Sequence, residues 1–141
     1  GLDGRKMSKS YGNTIPLFEP EEALRKLIMR IKTNSLPPEA PKDPDACTLF
    51  QIYQAFATAK EMAAIRERYI QGIGWGEIKQ ILFEYLNTRL SEPRQRFQEL
   101  LQAPDYIEQI LKRGAARARE HSVPFLYELR QAVGIRPLCK E

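Results

Sequence analysis

The chain has 141 residues, 43% of them apolar, with a net charge of +4 at neutral pH. That length suits one domain with a real core, and the mild basic balance is compatible with an RNA partner without requiring one. Cys47 and Cys139 lie far apart with no Cys-x-x-Cys spacing and His121 is the one histidine, so no zinc set is expected; no apolar run approaches a membrane span, no secretory signal opens the chain, and a reduced, cytoplasmic setting fits.

Residues 1–18 begin with a polar stretch, Gly4-Arg5-Lys6-Met7-Ser8-Lys9-Ser10-Tyr11-Gly12-Asn13. It holds little to bury and reads as a mobile loop bounded by glycines that let the backbone bend. Lys6 and Lys9 are compact charges on flexible stems, suited to following a phosphate, and Ser8 and Ser10 add hydroxyl donors. A Lys/Ser/Gly run is by itself equally a solvated linker.

Phe18-Glu19-Pro20-Glu21-Glu22 predicts a helix start, with Pro20 at the first helical position and acids at the positive end of the dipole. Leu24, Leu27, Ile28 and Ile31 form one buried stripe at helical spacing. Arg25, Lys26, Arg30 and Lys32 make a basic face, either solvated or turned to an RNA backbone. Residues 33–45 carry four prolines in eight positions and are expected to form a stiff connector. Asp43-Pro44 is expected to start the next helix, with Leu49, Ile52, Tyr53 and Phe56 as its apolar face.

Thr58-Ala59-Lys60-Glu61 is a capping box, followed by a helix carrying Met62, Ile65 and Tyr69 and ended by Gly72. Gly72, Gly74 and Gly76 around Trp75 predict a tight interhelical turn with Trp75 as a core anchor. No predicted strand precedes these glycines, so they are not a dinucleotide fingerprint. Helical spacing then runs from Ile78 through Ile81, Leu82, Tyr85, Leu86 and Leu90 to Phe97, Leu100 and Leu101, with a kink expected at residues 89–92 ahead of Pro93. Pro104-Asp105 opens another helix with Tyr106, Ile107, Ile110 and Leu111 on its apolar face. Gly114-Ala115-Ala116 permits close packing, and Val123-Pro124 is expected to bend or break the chain. Phe125, Leu126, Leu129 and Val133 make a last apolar face capped by Gly134. No alternating strand run and no repeat is seen. The predicted fold is all-α, a bundle of about five to seven helices with the lysine loop at its N-terminus.

Lys-Met-Ser-Lys-Ser at residues 6–10 resembles the second signature loop of class I aminoacyl-tRNA synthetases. Gly1-Leu2-Asp3-Gly4-Arg5 before it, Tyr11-Gly12-Asn13-Thr14-Ile15-Pro16-Leu17 after it, and Gly72-Ile73-Gly74-Trp75-Gly76-Glu77 through to Ala132-Val133-Gly134 resemble the tryptophanyl branch. The resemblance implies the C-terminal part of a bacterial-type enzyme that ligates tryptophan to tRNA. Residues 1–18 would then be the signature loop and exit from a catalytic domain, and 19–141 a helical domain of the anticodon-binding type. An upstream nucleotide-binding α/β domain with a His-Ile-Gly-His-like motif is implied and is not in this chain. The parent is expected to be a homodimer through that domain.

In that family the loop closes over the triphosphate of ATP. The resemblance implies ATP contacts from Lys6, Met7, Ser8, Lys9 and Ser10, with Lys6 and Lys9 in the catalytic role, Lys9 foremost. Magnesium, arriving with ATP, and L-tryptophan would be held mainly by the upstream domain. No protein nucleophile or general base stands out, which suits a reaction in which the substrate carboxylate attacks the α-phosphate. Contacts to tRNA(Trp) would come from Arg94, Arg96, Lys112, Arg113, Arg117 and Arg119, each equally a surface charge, and His121 is a candidate stacking group. The tyrosyl branch shares this design but commonly departs from Lys-Met-Ser-Lys-Ser. A free-standing helical RNA-binding module is the alternative of another class.

Overall fold

A computed structural model describes residues 1–135; Cys139 lies outside the described residues. The described chain is all-helical, with helices α1 (Glu21–Met29), α2 (Thr48–Gln54), α3 (Ala59–Gln71), α4 (Trp75–Leu101) and α5 (Pro104–Ala132), and a short 3-10 turn at Lys9–Tyr11. It divides into two compact units, Gly1–Phe97 and Gln98–Glu141.

The first unit holds the core. Leu24, Ile28 and Ile31, three of the four residues of the predicted stripe, are buried, and Leu27 packs against them half-buried. They meet Leu49, Phe50 and Tyr53 of α2, Ile65 and Tyr69 of α3, and Ile78, Leu82, Phe83, Leu86 and Leu90 of α4. Each such large apolar side chain contributes about 1.5–3 kcal/mol when fully withdrawn from water. Aromatic pairs knit the same cluster: Phe50 meets Tyr69 edge-on at 5.8 Å and Tyr53 tilts against Tyr85 at 4.5 Å. Burial leaves the Tyr69 hydroxyl with the Cys47 thiol as partner at 3.4 Å, and burial pushes its pKa up.

Helix starts follow local chemistry in most places. The capping box is present in both directions: the Glu61 N–H donates to Thr58 Oγ1, and the Thr58 N–H donates to the Glu61 carboxylate at 2.8 Å. The Thr58 N–H and the Thr58 hydroxyl, together with the Tyr85 hydroxyl, hold the Glu61 carboxyl down at about 2. Pro20 sits at the N-cap, one residue ahead of its predicted place. Gly72 caps α3 as expected. Beyond α5 the Gly134 N–H donates to the Gln131 carbonyl and the Ile135 N–H to the Arg130 carbonyl, the paired bonds that close a helix on a glycine.

Four expectations need correction. Asp43-Pro44 does not start α2. The Asp43 carboxylate instead accepts the Asp45 N–H, Cys47 bonds back to Pro44 in a turn, and the helix begins at Thr48. Val123-Pro124 does not break the last helix, which runs through Pro124. Proline removes one intrahelical donor, but Glu120, whose carbonyl loses that donor, is an exposed residue, where the missing bond costs little. Helix α4 runs through Pro93, the continuation that its apolar stripe predicts. Trp75 is half-buried rather than a core anchor: it opens α4, packs edge-on to Tyr69 at 6.5 Å, and its indole N–H donates to Asn34 Oδ1 at 3.1 Å. Lastly, α5 has no buried residue, so its apolar residues, Leu111, Phe125 and Leu129 among them, stand exposed.

The connector at residues 33–45 is ordered by a buried lysine. The Lys42 Nζ donates to the carbonyls of Pro37, Pro38 and Ala40 at 2.9–3.1 Å, and the ammonium lies 5.3 Å from the centre of the Trp75 ring. Its N–H bonds to the Tyr69 carbonyl, tying the connector to α3. Among the described residues no helix is long and apolar enough to cross a membrane.

Candidate functional site

The lysine loop is built from its ends inward. The Leu2 N–H donates to the Asn13 carbonyl at 3.0 Å and the Lys32 N–H to the Leu2 carbonyl at 3.0 Å, so the loop closes on itself and is fastened to the chain just after α1. Leu2 is buried in the core cluster. Gly4 and Gly12 both take positive φ, 84° and 60°, the left-handed region that a side chain disfavours. The expected bends therefore lie where the glycines are.

Beside the second of them stands Asn13, only 2% exposed. Its Oδ1 accepts the Ser8 N–H at 2.8 Å, and its Nδ2 donates to Asp3 Oδ1 at 2.7 Å and to the Lys6 carbonyl at 3.2 Å. Asp3 is further bound by Arg5, whose Nε donates to Oδ2 at 2.7 Å. The Asn13 hydrogen bond first, then the Arg5 contacts, hold the Asp3 carboxyl far below the usual carboxylate range. Arg5 also lies over the Tyr11 ring, 4.6 Å from its centre. The stretch that reads as an unanchored loop is thus pinned around one buried amide. Sequence reasoning gave Asn13, Asp3 and Arg5 no role. The available signal was an asparagine directly after a glycine, ten residues beyond an aspartate, across a loop with nothing else to hold it.

The five signature residues have distinct surroundings. Lys6 and Lys9 are exposed, and among the described residues neither ammonium has a hydrogen-bond or ion-pair partner. Ser8 is half-buried, precedes the 3-10 turn Lys9–Tyr11, and its hydroxyl lies 2.8 Å from that of Ser10. Met7 is 41% exposed and lines an apolar groove of about 430 Å³ with Ile15, Leu17, Leu24, Ile52 and Phe56. The loop therefore combines two uncommitted cations and two hydroxyls on an ordered backbone. Lysine ammoniums without an internal partner can serve an anionic ligand without first breaking an ion pair.

The basic residues proposed to meet RNA are not one cluster. In the first unit, Arg94 is half-buried: Nη1 donates to Asn87 Oδ1 at 2.9 Å, while Nε and Nη2 are enclosed without a partner among the described residues. Arg96, two residues on, is exposed on the opposite side of α4. In the second unit, Lys112 pairs with Glu108 at 3.2 Å. Arg113 and Arg117, four apart on α5, share a face and are exposed; Arg119 lies nearer the side that carries Lys112. His121 is exposed on the same helix. Arg25 and Lys26 on α1 and Arg30 at its C-cap flank an open depression with Glu22 and Met29.

A family model described as tRNA synthetases class I (W and Y) matches residues 1–91. Curated relatives include a tryptophan–tRNA ligase of Pseudomonas aeruginosa, 55% identical over 98% of this chain and 31% of its own length. One from Neisseria meningitidis is 49% identical over 98% of this chain and 41% of its own length. Among solved structures, a tryptophanyl-tRNA synthetase from Campylobacter jejuni, complexed with ADP and tryptophan, superposes with a TM-score of 0.85 at 37% identity, covering 95% of this chain and 42% of that one. The chain thus spans about a third of the length of the first of these relatives.

Proposed function

The chain belongs to the class I tRNA synthetases of the W and Y type, and from that premise we propose that it supplies the mobile ATP loop and the helical tRNA-binding part of a tryptophan–tRNA ligase. The observation that carries the reading is the pair of exposed ammoniums of Lys6 and Lys9, without a partner among the described residues, on a loop ordered by Asn13.

Amino-acid activation joins the tryptophan carboxylate to the α-phosphate of ATP and releases pyrophosphate. The chemistry is positioning and charge stabilisation, because the nucleophile belongs to the substrate. Lys6 and Lys9 supply two positive charges for the β- and γ-phosphates, and the Ser8 and Ser10 hydroxyls supply donors beside them. A contact made only as the loop closes acts on the rate rather than on ground-state affinity. The loop's one carboxylate, Asp3, is taken up by Asn13 and Arg5. Magnesium arriving with ATP would therefore draw its protein ligands from outside residues 1–18. The tryptophan pocket and the rest of the nucleotide site belong to the part of the relatives' length that this chain does not span. The parent acts in the cytoplasm as a homodimer through that part.

For tRNA(Trp), exposed Arg113 and Arg117 on one face of α5 are the first candidates, ahead of Lys112, which is paired, and Arg94, which is half-buried. The test is amino-acid-dependent ATP–pyrophosphate exchange by the full-length protein that carries these residues. Exchange driven by tryptophan and not by tyrosine is expected. Exchange driven by tyrosine would move the assignment to the sister branch, and none with either would favour a helical RNA-binding module.

A further inference from the structure

Asn13 and Lys42 are the buried polar side chains among the described residues, and Asn13 closes the lysine loop. Three hydrogen bonds engage its side chain: one received from the Ser8 N–H and two given to Asp3 Oδ1 and the Lys6 carbonyl. Two of the three end on the main chain at Lys6 and Ser8, the neighbours of Met7. The amide thus fixes the backbone from which the Lys6 side chain and the Ser8 hydroxyl depart. Ser8 in turn precedes the 3-10 turn that begins with Lys9, and the turn closes on Gly12 in the left-handed region. Both lysines therefore hang on a backbone whose shape depends on one side chain that touches neither ammonium.

We infer that Asn13 is the positioning residue of the loop, its buried amide holding the Lys6 carbonyl and the Ser8 N–H so that Lys6 and Lys9 are presented together to a chain of phosphates. The inference rests on the ATP role proposed above for these lysines. The chemistry singles out asparagine. The site needs an acceptor toward Ser8 and donors toward both Asp3 and Lys6 on one compact planar group. Aspartate keeps the acceptor and loses both donors, and it sets a second carboxylate 2.7 Å from Asp3 Oδ1. Alanine takes the partner from the part-buried Ser8 N–H and Lys6 carbonyl. Glutamine carries the right groups one methylene too far into a buried site. Without the amide the loop stays ordered only at its ends, and the ordering of its middle falls on the activated complex. The expected signature is a slower chemical step with little change in ATP affinity.

The test uses the full-length protein, with single-turnover formation of tryptophanyl-adenylate and separate titration of ATP affinity. Asn13→Ala and Asn13→Asp are expected to lower the rate constant by about 100-fold, the scale of a misplacement near 1 Å. ATP affinity is expected to stay within about threefold, since it draws little on contacts formed late. In a background that lacks both ammoniums, Lys6→Ala with Lys9→Ala, the Asn13→Asp loss should shrink to less than about threefold, because Asn13 acts through those two side chains. A general structural role would instead give losses that multiply, and that result would overturn the inference. Lys9→Ala serves as the control on the premise. If Lys9→Ala is slow while both Asn13 variants keep the wild-type rate, the inference fails and the ATP role stands. If Lys9→Ala itself keeps the wild-type rate and affinity, the ATP role fails, whatever the Asn13 variants do. Asn13→Asp preserves volume, so the cycle can be run on it alone if Asn13→Ala does not fold.

Discussion

Two loops of the first unit, residues 2–13 and residues 33–45, solve the same problem in opposite ways. Each lacks regular structure over most of its length, and each is organised by one nearly buried polar side chain, Asn13 at 2% and Lys42 at 3% exposure. In the connector the organiser is itself the cation. Lys42 spends its three ammonium protons on three carbonyls and sets its charge against the Trp75 ring, so nothing is left for a ligand. In the signature loop the organiser is a neutral amide, and among the described residues both lysine ammoniums remain without a partner. Lysine alone predicts neither outcome. What decides is whether the backbone carbonyls around it are left for it to satisfy.

The largest expected effect separates the loops by rate. Lys9→Ala in the full-length protein should slow adenylate formation by about 30- to 1000-fold, or about 2–4 kcal/mol, the scale of removing one charge-stabilising group from a transition state. Lys9→Arg should restore only part, since a planar fork does not replace a compact ammonium. The second separates them by stability. Lys42→Met should remove the ammonium that the Pro37, Pro38 and Ala40 carbonyls share and lower stability by about 2 kcal/mol, near 10 °C in the melting temperature of a unit of roughly 100 residues. Thermal melting followed by circular dichroism checks it. An unchanged melting temperature would mean that the connector holds its shape without the ammonium.

A smaller effect sharpens the contrast between positioning and mere charge. Arg113→Ala with Arg117→Ala should raise the KM for tRNA and reduce the salt slope of binding by about 2, one for each phosphate that the protein no longer neutralises. Tryptophan-dependent pyrophosphate exchange without tRNA should stay at the wild-type rate. Unchanged tRNA kinetics would move the RNA surface to the basic side of α1, where Arg25 and Lys26 stand.

The smallest effect calibrates stability away from both loops. Thr58→Ala should cost about 1 kcal/mol through the missing cap without slowing adenylate formation. Glu61 adds a pH signature. Its folded pKa of about 2 lies below its ordinary 4.5, so its stabilisation is complete above 4.5 and is lost as the pH falls toward 2. Glu61→Gln should flatten the acid limb of the melting-temperature profile in that window.

The helical half of the fold was legible because its causes are local. The spacing of Leu24, Ile28 and Ile31, and the pairing of Thr58 with Glu61, each fit inside a few residues. Asn13 and Lys42 were not legible, because a polar residue in a loop is solvated by default. Their burial comes from chain closure: Leu2 meeting Asn13 in one case, the Tyr69 carbonyl meeting the Lys42 N–H in the other. Pro44 and Pro124 misled for a related reason. Proline forbids a donor but does not say whether the surroundings use the freedom to start a helix, delay it or continue it. The five residues Lys6 to Ser10 stand out by their order alone, whereas the side chain that orders their backbone lies in the next residues along, at Asn13 beside Gly12.

The most direct measurement crosses the two loops. Adenylate formation rate and melting temperature are read on the same preparations of wild type, Lys9→Ala and Lys42→Met in the full-length protein. Lys9→Ala is expected to lower the rate at least about 30-fold with the melting temperature unmoved, and Lys42→Met to lower the melting temperature while the folded fraction keeps the wild-type rate. A Lys9→Ala protein that activates tryptophan at the wild-type rate would contradict the division of labour between the two loops.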